Sequence, residues 1–272
     1  MRRFISRRAG LAIVGGLVLA TSVAATTATT TASASPGIST TSASSPCTTA
    51  SYTISVSSTT QSTWSLSIAG QIDFGADAAT ASLTLPANVP IPFLAGSTLQ
   101  VVLVGGTAYV SVPPGLSSFV GGASWVSIAF PSNVNTVVNS VLAHLASFCG
   151  SPQSTLGALS TRRHGPRSLG TSSIGGVQVT GSHLNAPAKR FKKTFGLAKG
   201  AAVGTWSVGS LPVPINVWVN AQGQLTQVSI NLPNVSITID VSNIDQPVSI
   251  TAPPGAVPLS PSVLSLLGGF VG

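Results

Sequence analysis

The chain is 272 residues long, with 12 Lys and Arg against 4 Asp and Glu, and carries a formal net charge of +8 at pH 7. Hydrophobic residues make up 43% and charged residues only 6%, with 3 His and 2 Cys. So few acids, bases and metal ligands argue against an enzyme or a metal protein, and for a chain that holds something apolar.

Residues 1–34 read as an export signal. Arg2, Arg3, Arg7 and Arg8 form a basic start, Leu11 to Ala25 a short apolar stretch, and Ala32-Ser33-Ala34 a small-residue cleavage site. The apolar run is shorter than the roughly 18 residues a membrane span needs. Two separate Arg pairs leave both the general secretory and the twin-arginine route open. A lipobox would place a Cys directly after the apolar run. The first one here is Cys47, so a soluble secreted or cell-envelope protein is expected, without a lipid anchor. Residues 35–48 are rich in Ser, Thr and Ala, the composition of a spacer. Residues 49–255 are long enough for one domain with a sizeable core. Residues 256–272, with Leu264, Leu266, Leu267 and Phe270, form an apolar tail expected to dock on that domain.

Short strands dominate the domain. Tyr52, Ile54 and Val56 alternate with polar residues, as do Trp64, Leu66, Ile68, Ile72 and Phe74. The pattern returns at Val126, Ile128 and Phe130, at Val213 to Val219, at Val228 to Leu232 and at Val235 to Val241. A period of two buries one face of a strand and wets the other. Gly105-Gly106, Gly175-Gly176 and Ala221-Gln222-Gly223 lie between such runs and supply the φ > 0 residues of hairpin loops.

One segment changes period. Val134, Val137, Val138, Val141, Leu142, Leu145 and Phe148 make an apolar helical stripe. Ser132 is its expected N-cap, and Pro131 and Gly150 bracket it. Ser151 to Thr161 reads as a second, weaker helix. Two cysteines in an exported chain point to one disulfide, Cys47 to Cys149. It would tie the start of the domain to the end of the helix.

Charge is segregated along the sequence. Beyond the signal, every Lys and Arg lies between Arg162 and Lys199: Arg162, Arg163, Arg167, Lys189, Arg190, Lys192, Lys193 and Lys199. No acid falls in that window. Such a one-sided field attracts an anionic membrane surface, an anionic head group or a cell-wall polymer. The alternative is a solvated loop region that keeps an otherwise uncharged domain in solution. No nucleic-acid partner is expected. The chain shows no GxSxG, HExxH, CxxC, P-loop or GxGxxG pattern, so no catalytic residue, metal or cofactor is expected.

Three segments carry a resemblance. They are Leu99 to Val110 followed by Trp125-Val126, Leu211 to Leu225, and Val248 to Pro254. Together, in this order around the helix, they resemble the LppX/LprG-type lipoproteins of mycobacteria and related actinobacteria, here without the lipobox cysteine. The resemblance implies a mainly β fold with α (α+β). It would be a LolA-like half-barrel, a bent antiparallel sheet capped by one or two amphipathic helices, with acyl chains between sheet and helices. The function expected on that basis is an exported lipid- or glycolipid-binding carrier. Phe93, Leu94, Ile128, Val137, Val141 and Leu145 are expected to line its cavity, with the Arg162 to Lys199 patch meeting an anionic head group. The alternative is a non-lipid structural or sensory module that binds a protein or an anionic wall polymer through the same patch.

Overall fold

The computed structural model describes residues 45–58, 65–85, 95–130, 132–160, 165–194, 212–232 and 235–259. The expected export signal, Phe93 and Leu94 lie outside them, as do Arg162, Arg163, Lys199 and the end of the C-terminal tail.

Among the described residues twelve strands form one sheet. In chain order they are β1 (Thr49–Ser58), β2 (Ser65–Asp73), β3 (Ala78–Thr84), β4 (Thr98–Val104), β5 (Thr107–Ser111) and β6 (Trp125–Ala129). There follow β7 (Arg167–Ile174), β8 (Val177–Ala186), β9 (Val213–Val219), β10 (Leu225–Leu232), β11 (Val235–Ser242) and β12 (Val257–Pro258). Their order across the sheet is β12-β6-β5-β4-β3-β2-β1-β11-β10-β9-β8-β7. Every neighbouring pair is antiparallel except β12, which runs parallel to β6 and adds Val257 beside Val126. The sheet is unclosed, with β12 at one edge and β7 at the other.

Among the described residues three helices accompany it: α1 (Ser132–Gly150), α2 (Pro152–Leu159) and α3 (Ala188–Thr194). A 3₁₀ turn, Pro114–Val120, joins β5 to β6. The fold class is therefore mainly β with α, the class that the resemblance to LppX/LprG-type lipoproteins implies. Gly105, Gly106, Gly175, Gly176 and Gly223 all take positive φ in the hairpin loops where the sequence places them.

Strand register shows how the apolar residues line up. Directly paired residues share a face, so one row runs Leu184, Ile215, Ile230, Ile237, Val56, Leu66 across β8 to β2. The next runs Val217, Val228, Ile239, Ile54, Ile68, Leu83, Leu99. A third runs Val241, Tyr52, Gly70, Ala81, Val101, Val110, Val126, and a fourth Ala50, Ile72, Ala79, Leu103, Ala108, Ile128. One face of the sheet is apolar from β9 to β6. On the opposite face polar residues prevail, as in the row His183, Asn216, Ser229, Thr238, Ser55, Ser67 and Thr84, with Trp218, Val102 and Tyr109 among the exceptions.

The helices sit on the apolar face, but over one part of it. Phe148 of α1, Leu156 and Leu159 of α2, and Phe191 of α3 form the main core with Leu184, Val213, Ile215, Val217, Val219, Leu225 and Val228. A smaller cluster surrounds Cys47, Ala50 and Cys149, with Phe74, Val241 and Ile244 against it. The disulfide is formed: Cys47 and Cys149 are bonded across a separation of 102 residues, with Cα atoms 5.8 Å apart.

Candidate functional site

The apolar face has two states of cover. On β8 and β9 its aliphatic side chains are closed off, Leu184 at 1% exposure and Ile215 at 2%. On β1 to β6 the same face holds Ile54, Val56, Ile72, Leu83, Leu99, Val101, Leu103, Val110 and Ile128, all only half-buried. On the same strands and face Leu66, Ile68, Ala108 and Val126 are buried. Among the described residues no buried hydrophobic cluster forms on β3 to β6.

Helix α1 lies across one end of this open half. It starts beside the β4–β5 loop, where a Cβ on Gly106 would come within 2.9 Å of the Asn135 amide nitrogen. It ends beside β1, where the Cys47 N–H donates to the Ala146 carbonyl at 3.1 Å and Cys149 is disulfide-bonded. From Asn135 to Cys149 the helix rises about 21 Å, close to the roughly 19 Å spanned by four strand spacings from β5 to β1. The sealed line of α1 is Leu142, Ala146 and Cys149, with Phe148 turned toward the main core. Leu145, an expected wall residue, is 37% exposed. The side chains of Val137 and Val141 lie outside the described residues, while Ile128 stands half-buried at the end of the fourth apolar row.

Register also sorts the molecule's two ends. At the end where β1 begins lie the disulfide, the start of α1, and the β2–β3, β4–β5 and β9–β10 loops. At the opposite end lie the start of β7, helix α3 and the 3₁₀ turn after β5. Of the basic residues the sequence singles out, those described belong to this second end. Arg167 opens β7, and Lys189 and Arg190 are exposed on α3, which also carries Lys192 and Lys193. Arg190 donates to the carbonyl oxygens of Ala158 (3.4 Å) and Ser160, pinning α3 to the C-terminus of α2, where a cation also suits the helix dipole.

Asp73, Asp240 and Asp245 work as structural acceptors. Asp73 Oδ1 accepts from the N–H groups of Gly75 (3.0 Å) and Ala76 (2.9 Å), shaping the β2–β3 turn. Asp245 accepts from the Thr48 N–H and hydroxyl at 2.8 and 2.9 Å, and Asp240 from Gln227 Nε2 at 2.7 Å. His183 Nδ1 meets Asn216 Oδ1 at 2.7 Å, on the polar face. None of these contacts joins a histidine to a carboxylate. Among the described residues no metal-ligand cluster occurs, and no helix is long and apolar enough to cross a membrane.

The sequence reading placed Tyr52 on the apolar face of a strand but not its hydroxyl contact, and it did not single out Phe119. Tyr52 reaches over Gly70 and donates its hydroxyl to the Thr80 carbonyl on β3 at 2.7 Å. A Cβ on Gly70 would lie 2.6 Å from that hydroxyl, so the crossing needs glycine there. Burial pushes the Tyr52 phenol up to about 12. Phe119, on the 3₁₀ turn, is 79% exposed. Its signal was present in the prolines and glycines around it, which mark a protruding turn too short to bury an aromatic ring.

No family model matches the chain, and no curated protein matches it in sequence. Solved structures are similar in arrangement. Lipoprotein LppX of Mycobacterium tuberculosis aligns over 75% of this chain and 90% of its own, at 16% identity and a TM-score of 0.47. LprF of Mycobacterium bovis aligns over 76% and 90%, at 16% identity and a TM-score of 0.44. A LolA-superfamily protein of Nitrosomonas europaea aligns over 79% and 91%, at 11% identity and a TM-score of 0.26. These are similarities of arrangement at low identity, and the fold stands on the strand ladder itself.

Proposed function

We propose that this is an exported lipid- or glycolipid-binding protein, a carrier rather than an enzyme. It holds acyl chains against the apolar face of β1 to β6, beside α1. The observation that carries the reading is the mismatch between the apolar face and its cover. The rows of aliphatic side chains continue across β4, β5 and β6, while among the described residues the main helical core lies on the β8 to β10 side. Acyl chains are the complement such a surface needs. Each CH₂ moved there from water gains roughly 0.8 kcal/mol. Moved there from a bilayer it gains almost nothing, so loading and release need no energy source. The engaged carboxylates and the Asn-bound His183 leave structural roles, not proton transfer, for the polar groups described.

The test is direct. Mature protein, purified without detergent, is extracted with organic solvent, and the extract is analysed by mass spectrometry. In parallel, a fluorescent fatty-acyl probe is titrated into delipidated protein. Stoichiometric lipid in the extract, or saturable probe binding, supports the carrier. An empty extract together with no probe binding removes it and leaves the module that works through its basic patch.

A further inference from the structure

The charges that look clustered in sequence become a polarity along the strands once folded. Asp73 and Asp77 flank the β2–β3 turn, Asp245 follows β11, and Asp240 lies near the end of β11. All four therefore belong to the disulfide half of the sheet. Arg167, Lys189 and Arg190 belong to the opposite end. At that same end the 3₁₀ turn presents Phe119 at 79% exposure, held out between Pro113-Pro114 and the left-handed Gly121 and Gly122 (φ 69° and 81°). The sequence has no Lys, Arg, Asp or Glu between Asp77 and Arg162, so the turn can enter an apolar phase without desolvating a charge.

We propose that this basic end is a bilayer-docking face, on which Phe119 enters an anionic lipid surface while the cations across the same end meet its head groups. The proposal rests on the carrier reading above and names the surface at which the carrier exchanges its cargo. Geometry selects a bilayer over a small ligand. From β5 to β8 is eight strand spacings, about 38 Å along the sheet. Phe119 and Lys189 stand on separate elements of that end, which an extended anionic surface can meet at once. Since α1 crosses the other end, the open apolar face meets its lipid source on this side. An interfacial aromatic with neighbouring cations is the pairing that binds proteins to anionic membranes.

The experiment is vesicle flotation of the mature protein with phosphatidylcholine vesicles and with vesicles containing about half phosphatidylglycerol. Wild type is expected to float with the anionic vesicles, less as salt is raised, and to remain behind with the neutral ones. Phe119→Ser should weaken partitioning about tenfold, and Arg167→Glu with Lys189→Glu should remove most of the salt-sensitive part, about fivefold per charge. Unfolding midpoints and acyl-probe binding in vesicle-free solution are measured on the same variants. If Phe119→Ser floats like wild type, or wild type ignores charge or ignores vesicles altogether, the docking face is overturned. Equal binding of soluble polyphosphate to wild type and Phe119→Ser, without flotation, overturns it in favour of a polymer. Probe binding separates the two ideas. Retained probe binding with Phe119-independent flotation sinks docking alone, and Phe119-dependent flotation without probe binding sinks the carrier alone.

Discussion

On β8 to β10 the helix-facing side chains are sealed under α2 and α3, whereas on β3 to β6 the same side of the same sheet is only half covered. The two regions are built alike. Both alternate apolar and polar residues, both are antiparallel, and both join their strands through glycine-bearing hairpin loops. They differ in what the chain lays on top. Helices α2 and α3 follow α1 and β8 and return to the β8 to β10 side. Among the described residues only helix α1 crosses the other side, along its disulfide end. Apolar surface is thus not the same as core. Stability should concentrate in one half and capacity for a ligand in the other.

The largest contrast is expected from equivalent truncations. Leu184→Ala in the sealed half should cost about 2 to 5 kcal/mol, because a fully packed site cannot collapse around the missing carbons. Leu103→Ala on β4 should cost under about 1 kcal/mol, since that side chain is already partly in water in the free protein. Urea midpoints of the two variants check the difference, and equal losses would mean that the open half is ordinary core. Next in size is the disulfide, which closes a loop of 102 residues. Its removal should cost up to about 4 kcal/mol and lower the melting temperature by several degrees. Since Cys149 anchors α1 beside β1, reduction should also weaken acyl-probe binding. Calorimetry and probe titration with and without reductant measure both effects.

The sealed half was the easier part to read in the sequence. Val213 to Val219 and Val228 to Leu232 alternate cleanly on either side of a loop with Gly223, and the structure pairs them antiparallel, with a register shift between Leu225 and Gln227. The α1 stripe and the cysteine pair were also legible, because helical period and compartment chemistry are local properties. The rest depended on packing. Val101 to Val104 is apolar on both faces, so period alone could not say that Val101 and Leu103 share the row with Ile128. Ala78–Thr84 and Arg167–Ile174 are small or polar strands whose residues carry little β signal, and they are held by their neighbours. The basic window read as a patch, yet it contains β7, β8 and the short helix α3. Lys189 and Phe119 fall at the same end only because register aligns strands far apart in sequence.

Tyr52 marks the seam between the halves and offers a smaller effect. Tyr52→Phe removes the hydroxyl bond to the Thr80 carbonyl and should cost about 1 kcal/mol. The pH dependence has a defined sign. Burial raises the phenol to about 12 in the folded state, above the roughly 10 of an exposed tyrosine. The unfolded chain then loses its proton first, so this contribution is complete below pH 10 and fades as pH climbs toward 12. Wild type should therefore lose stability faster than Tyr52→Phe between pH 10 and 12, and parallel curves would show the phenol to be solvated.

The smallest stability change is expected where the functional change is greatest. Val101 lies in the open half, between Ala81 and Val110 in the third apolar row. In a filled core, a tryptophan there would force neighbours off their rotamers at about 1 to 3 kcal/mol. On a face awaiting a ligand the indole instead occupies the acyl chain's place, so Val101→Trp should keep its urea midpoint to within about 0.5 kcal/mol. The same variant should bind the fluorescent acyl probe at least about tenfold more weakly, which corresponds to losing two buried methylenes or more. Val217→Trp, the matching change in the sealed half, should do the reverse: destabilise clearly and leave probe binding intact at temperatures where the protein is folded. A destabilised Val101→Trp with undiminished probe binding would place the ligand elsewhere and erase the distinction between the two halves.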